Sequence, residues 1–295
     1  MMTILVAGAT GNIGGEVIRQ LSQKDIPVRA LVRDRAKASH LAAQGIELAI
    51  GDLSQPDTLD AALQGTDAAF LVLPNLPNQV ELECGFIDAA KRAGVRRLVK
   101  LSVMGAGELP STLQRWHGQI EQHLEQSGMT WTQLRPNMFM QNIRWFTQTI
   151  AQTGVIYNTI GDTPISHVDV RDVAAVAAIC LAEPGHEHQR YVLTGPEAIT
   201  FAAIAEQFSQ VLDRPIAAVQ IPAADLKAAR LAGGEPEWYL DAELELFDCW
   251  QKGAGSTVTD CIQTLTGKPA NSYANFARDY AQAHHQDFLV KPAVS

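Results

Sequence analysis

From residue 3 to about 135, short apolar and β-branched runs alternate with stretches of helical length. TILVAGA (3–9), PVRALVR (27–33), IELAI (46–50), AAFLVL (68–73), RLVKLSV (97–103) and TWTQLRP (130–136) predict six strands. Between them, residues 12–23, 35–44, 56–64, 78–93 and 111–127 predict helices, each closed by Gly, Pro or a charged turn. The strand runs are apolar throughout rather than alternating, as expected when helices cover both faces of a sheet. The rhythm therefore predicts an α/β fold built on a doubly wound parallel sheet.

Residues 137–153 predict one more helix, and SHVDV (166–170) a short strand leading into the Ala-rich helix DVAAVAAICLAEP. RYVLTGP (190–196) reads as a further strand. After residue 200 the pattern is mostly helical: FAAIAEQFSQVL, ADLKAARLA, EWYLDAELELFDCWQKG, STVTDCIQTLTG and YANFARDYAQAHH, with one strand, IAAVQI. In EWYLDAELELFDCW the apolar positions recur at helical spacing, which predicts a packing or pocket-lid face with the acids outside. The expected layout is a Rossmann-type domain over residues 1–153, rejoined by strands from about 165–195, and a smaller, mostly helical C-terminal lobe over 154–295. No internal repeat or low-complexity linker interrupts it.

The first strand ends in Gly8-Ala9-Thr10-Gly11-Asn12-Ile13-Gly14-Gly15 and runs directly into a helix. Glycines there permit a tight turn and let the backbone approach a pyrophosphate, while the helix N-terminus offers free N–H groups and a positive dipole. The strand–turn–helix context makes Gly8, Thr10, Gly11, Asn12, Ile13 and Gly14 dinucleotide-binding candidates, at a Gly-x-x-Gly-x-x-Gly spacing. The second strand ends in Leu31-Val32-Arg33-Asp34-Arg35. An Arg at that place suits the 2′-phosphate of NADP(H), whereas Asp34 keeps NAD(H) open, and Arg33, Arg35 and Lys37 can equally just solvate a helix start. Asp52 and Leu53 follow the third strand, where Asp52 is either an acceptor for the adenine amino group or part of an ordinary helix N-terminal region. Leu73-Pro74 and Ser102, ending strands four and five, are expected beside the ribose and nicotinamide.

Charge narrows the partners. The 295-residue chain has 23 Lys+Arg against 32 Asp+Glu, a formal charge of −9, and all of that excess lies beyond residue 150. An acidic back half disfavours nucleic acid and anionic membranes, and a substrate entering past it should be neutral or cationic. Cys84, Cys180, Cys249 and Cys261 are far apart and without a Cys-x-x-Cys pair, so reduced thiols are expected rather than a disulfide framework. His186/His188 and His284/His285 have no carboxylate or Cys at ligand spacing, and no metal is expected. The N-terminus lacks the features of a signal peptide, and the longest apolar run, Val173–Ala182, is too short to span a bilayer, so the default location is cytoplasmic.

GATGNIGG with Arg33, GD at 51–52, LRPNMFMQN at 134–142, HVDVRDVA at 167–174, YVLTGP at 191–196 and the late LTGKPANSYANFA together resemble the NmrA-like family of atypical short-chain dehydrogenases/reductases. The resemblance spans essentially the whole chain. It implies NADPH-dependent quinone or dye reductases, isoflavone-type reductases, or regulators that bind the dinucleotide without turnover. The superfamily's Tyr-x-x-x-Lys pair is missing: the matching helix carries Leu113 and His117, and none of the five tyrosines is followed by Lys four residues on. Epimerase and ordinary alcohol dehydrogenase chemistry, which needs that Tyr, is demoted.

The His at the Lys position is similar to what the quinone-reductase branch carries. An imidazole with a pKa near 6.5 is suited to bond the cofactor and deliver a proton at neutral pH, with Ser102 or water as other donors. Glu121, one helical turn away, is placed to orient His117 or raise its pKa; alternatively the two form an exposed i,i+4 pair. Asn137, Met140 and Trp145, with Met138 and Gln141, fall where family pockets lie and form either an acceptor-binding wall or core. Asp169 and Asp172 sit where a helix cap is expected. The leading expectation is an NADPH-dependent reductase of a small planar acceptor such as a quinone, azo compound or dye. The alternative is a non-catalytic NADP(H) sensor that binds a protein partner. Oligomeric state is open, with room for a homodimer.

Overall fold

The computed structural model describes residues 2–288. Seven strands, β1 (Ile4–Val6), β2 (Val28–Val32), β3 (Glu47–Ile50), β4 (Ala68–Leu71), β5 (Arg97–Leu101), β6 (Thr130–Pro136) and β8 (Gln189–Leu193), form one sheet in the order β3-β2-β1-β4-β5-β6-β8. Every pairing is parallel. The chain winds outward in opposite directions from β1 and β4, so the crevice at their carboxyl ends is the ligand position of this topology.

Alternation within the apolar strands sorts the side chains into two layers. Ile4, Val6, Ala68 and Phe70 face a cluster shared with α1 (Asn12–Ser22) and α7 (Val170–Ala182). Leu5, Ala69 and Leu71 face α3 (Asp57–Leu63), α4 (Gln79–Arg92) and α5 (Thr112–Gln126) on the other side. The small α2 (Ser39–Ala43) adds Leu41 to the first layer. It is shorter than the 35–44 expected, because Asp34 Oδ1 accepts from Ala36 N (2.8 Å) and residues 35–38 turn before the helix begins.

A second core gathers Met138, Met140, Ile143 and Ile150 with Phe201, Phe208, Trp250, Tyr273 and Phe276. Its elements are α6 (Thr147–Thr153), β7 (Val155–Asn158), α8 (Phe201–Leu212), β9 (Ala217–Gln220), α9 (Ala223–Ala232), α10 (Glu237–Gln251) and α12 (Tyr273–Ala283); α11 (Cys261–Thr266) instead sends Ile262 into the first core. α9 has no buried side chain and is tied down through Arg230, which pairs with Glu235 and Glu243 and lies over the rings of Trp145 and Tyr239.

Three local expectations change. Residues 137–153 form not one helix but an extended start, a 3₁₀ turn (Met140–Trp145) and α6, because Phe139 bridges Val168 and the Asn137 amide is pulled toward residues 166 and 255. SHVDV makes only that bridge instead of a strand; Ser166 is held by the carbonyls of Gly255 and Thr257. Conversely β7 is a strand the pattern did not announce, since its partner β9 lies some sixty residues on and both are only four residues long.

Candidate functional site

The turn after β1 is shaped by close backbone approaches. Gly8 has φ +71°, and a Cβ there would stand 2.5 Å from the Val72 carbonyl oxygen at the exit of β4. A Cβ on Gly14 would fall against the Gly8 carbonyl oxygen, far inside contact distance. Gly11 takes the N-cap position of α1 in extended conformation, without a side-chain cap, and no acid occupies the first turn. The helix start thus directs backbone N–H groups and its positive end at the crevice with no competing anion of its own, which fits a dinucleotide pyrophosphate. Thr10 and Asn12 are exposed and Ile13 is buried beneath them.

Arg33 leaves β2 exposed, and among the described residues it has no ion-pair partner closer than 4 Å. Its charge contributes to holding Asp52 below the usual carboxylate range, after the hydrogen bonds from Ser54. Asp52 Oδ1 accepts from both Ser54 N (2.9 Å) and Ser54 Oγ (2.8 Å). Leu53 and Leu73 are half-buried and Pro74 exposed, lining the rims of β3 and β4.

The floor of the crevice is polar and buried. At the ends of three successive strands lie Gln79 in the first turn of α4, Ser102 after β5 and Asn137 after β6, and Gln79 Oε1, Ser102 Oγ and Asn137 Oδ1 are buried without a hydrogen-bond partner among the described residues. Buried acceptors in that condition cost free energy unless something else meets them. Their placement at the carboxyl ends, next to the glycine turn, is where a nicotinamide and an acceptor would supply partners.

His117 is only 5% exposed and sits between β5 and α4. Lys100 Nζ, 0% exposed, lies 2.9 Å from His117 Nδ1, 2.9 Å from the Leu101 carbonyl oxygen and 3.0 Å from Glu83 Oε2. Gln79 Nε2 donates to Glu83 Oε1 (2.7 Å) and also stands 3.4 Å from His117 Nε2. Burial, reinforced by the Lys100 charge, holds the His117 pKa well below 6.5, so the ring is neutral at physiological pH. This corrects the expectation of an imidazole titrating near its ordinary value. Glu121 does not reach it either: its carboxylate takes Arg135 Nε (3.0 Å) and Nη2 (2.6 Å) in a two-pronged pair. The His117–Glu121 pair is neither a catalytic dyad nor an exposed ion pair, because both residues are buried and face different partners.

Lys100, Glu83 and Gln79 were not singled out from sequence. The signal was a Lys in the middle of the apolar run RLVKLSV, at a position where a strand covered on both faces has no water for an ammonium. Leu113, at the Tyr position, is buried.

Beyond β6, Asn137 Nδ2 donates to Ser166 Oγ and to the Gly255 carbonyl oxygen, both at 2.8 Å, so its amide nitrogen ties the sheet to the second lobe while Oδ1 stays unpaired. Met140 is 1% exposed inside the second core, with Met138 also buried close by; Trp145 is half-buried under Arg230. Gln141 donates to Asp169 Oδ1 (2.9 Å), and Asp169 caps α7 by accepting from Arg171 N (2.8 Å). Among the described residues no group of three or more His, Cys, Asp or Glu lies together to hold a metal ion, and no helix is long and apolar enough to cross a membrane.

The same architecture recurs in proteins of known activity. An NAD(P)H azoreductase from Xenophilus azovorans is 42% identical over 281 residues, covering 95% of this chain and 98% of its own. An NADPH-dependent quinone oxidoreductase from Escherichia coli, solved with NADPH, superposes with a TM-score of 0.87 at 30% identity, covering 94% of this chain and 99% of the other. A triphenylmethane reductase from Citrobacter sp. superposes with a TM-score of 0.85 at 27% identity over 95% of this chain and all of the other. The family model described as NmrA-like matches residues 1–252, and the chain belongs to the NmrA-like family.

Proposed function

We propose that the protein is an NADPH-dependent reductase that passes a hydride to a small planar acceptor such as a quinone, an azo compound or a dye. The observation that carries this reading is the meeting, at one set of strand ends, of an uncapped glycine-turn helix with a buried polar floor whose acceptors lack partners. The activities of the similar azoreductase, quinone oxidoreductase and dye reductase belong to the same reaction class.

In this reading Gly8, Thr10, Gly11, Asn12, Ile13 and Gly14 hold the pyrophosphate through backbone N–H groups, and Arg33 grips the 2′-phosphate, favouring NADP(H) over NAD(H). Asp52 and Leu53 flank the adenine, and Leu73 and Pro74 the ribose. Bound NADPH supplies the hydride. Ser102 Oγ is placed to bond the carboxamide or the acceptor, and His117 Nε2–H to donate the proton that the reduced oxygen or nitrogen takes up. Asn137 positions the lobe against the sheet, Trp145 offers an aromatic wall, and Met140 supports it from within. The second lobe, acidic in sequence, favours a neutral or cationic acceptor.

The test is NADPH oxidation followed by nicotinamide absorbance across a panel of quinones and azo dyes, with His117→Ala beside wild type. Turnover that His117→Ala loses supports the reading. Tight NADPH binding with no turnover for any acceptor would overturn it in favour of a sensor that acts through a protein partner, the reading to which the buried Leu113 at the Tyr position lends itself.

A further inference from the structure

We infer that Lys100 is a positioning residue that fixes the tautomer of His117 and resupplies the proton His117 gives up. The inference rests on the reductase reading above and deepens it, naming the proton source behind the donor.

Counting donors assigns the resting state. An ammonium has only hydrogens to offer and no acceptor, and Lys100 Nζ makes hydrogen bonds at 2.9 Å with the Leu101 carbonyl oxygen and His117 Nδ1 beside its ion pair with Glu83 Oε2 at 3.0 Å. Nδ1 must therefore be the unprotonated nitrogen, and the neutral ring carries its hydrogen on Nε2. Glu83 Oε1 needs a donor as well, which orients the Gln79 amide with its nitrogen toward Glu83 and, at 3.4 Å, toward His117 Nε2. The contact at Nε2 then sets one N–H against another. With Gln79 Oε1 also lacking a partner among the described residues, the network is open on this side of the ring, and no acceptor within it holds the Nε2 hydrogen.

Proton delivery resolves the mismatch. As the Nε2–H bond breaks and the proton joins the oxygen or nitrogen of the hydride-reduced acceptor, Nδ1 takes a proton from Lys100 Nζ. The ring stays neutral as the Nδ1–H tautomer, and Lys100 becomes an amine that accepts from Nδ1–H. Nε2, now a lone pair, accepts the second N–H of Gln79 across the existing 3.4 Å contact. When product leaves, a proton from solvent joins Nε2 and the Nδ1 proton returns to the Lys100 amine, which restores the ammonium and the Nε2–H tautomer. The electrons come only from the hydride, so the relay itself is redox-neutral. The arrangement also explains how a ring that burial keeps from becoming imidazolium can still serve as a proton donor.

The groups facing the ring are Lys100 from β5, Gln79 and Glu83 from α4, and nothing charged from its own helix, since Glu121 is closed on Arg135 of β6; α10, which packs on α5, spends Glu245 on Thr112 N at the far end. The test uses ¹⁵N NMR of the full chain labelled at histidine, without cofactor, together with steady-state kinetics. Wild type should show His117 as the Nε2–H tautomer. The double variant Glu83→Gln/Lys100→Met, which removes both buried charges together, should lose that single tautomer, and its kcat should fall about a hundredfold with the KM for NADPH unchanged. An Nδ1–H signal in wild type overturns the proposal even if the variant fails to fold. A folded double variant with wild-type kcat overturns the relay alone, whereas a wild type that turns over no acceptor overturns the reductase reading and the relay with it.

Discussion

Asp172, in the first turn of α7, offers a quantitative check on how this fold handles buried charge. Burial, with the nearby Asp169 carboxylate adding to it, raises its pKa from 3.8 to about 6, while the Asn271 N–H (2.7 Å) and Arg171 pull the other way. A folded-state pKa above the unfolded one means the folded chain keeps a proton that the unfolded chain has released. Stability therefore falls as pH rises from about 4 to about 6, and the deficit persists at neutral pH. Two units correspond to about 3 kcal/mol, which partial exposure reduces to about 1–2 kcal/mol. Asp172→Asn keeps an oxygen for the Asn271 N–H and removes the charge. In urea unfolding the variant should be more stable than wild type by about 1–2 kcal/mol at about pH 7, the two converging near pH 4. A variant no more stable than wild type at neutral pH, or a gap of the same size at both pH values, would refute the reasoning.

Arg33→Ala should weaken NADPH by about ten- to a hundredfold in a binding titration and leave NADH nearly unchanged, since a charge-assisted bond to phosphate is worth about 1.5–3 kcal/mol; equal losses for both would remove Arg33 from the 2′-phosphate. Gly14→Ala drives a Cβ into the Gly8 carbonyl oxygen, so calorimetry should register loss of dinucleotide binding and a lower melting temperature. Glu121→Ala strands the buried Arg135 guanidinium with only the exposed Glu108 and should cost about 3–5 kcal/mol in denaturant melts. The same variant should leave the NMR signature of the His117 ring in place; a change of tautomer would contradict the separation of the two networks.

The sheet was legible because continuous apolar runs and glycine punctuation are local signals, and β1 to β6 fall within the predicted runs. The glycine turn was legible for the same reason: Gly8, Gly11 and Gly14 are constrained by backbone atoms within and beside their own turn. What the sequence did not disclose depends on contacts between distant residues. Lys100 and Glu83 come from different elements and meet His117 only after α4 and α5 have docked on β5. Glu121 stood one turn from His117, and helical spacing alone could not reveal that Arg135 would claim it from β6. Likewise β7 exists only through β9, and the break in 137–153 comes from Gly255, more than a hundred residues away.

The packing of α1 against α7 has a consequence for biosynthesis. β1 precedes the other strands of the sheet in synthesis, yet Val17, Ile18 and Leu21 of the helix that follows it share their buried layer with Val173, Ala177 and Leu181. That face stays greasy and uncovered until α7, about 150 residues further on, has been made, while the opposite layer, drawn from β1 through α5, can close earlier. The nascent chain thus passes through a half-sandwich with one finished side. The glycine turn lies at the edge of the unfinished one, so dinucleotide captured during translation would favour the native docking of α7 by mass action.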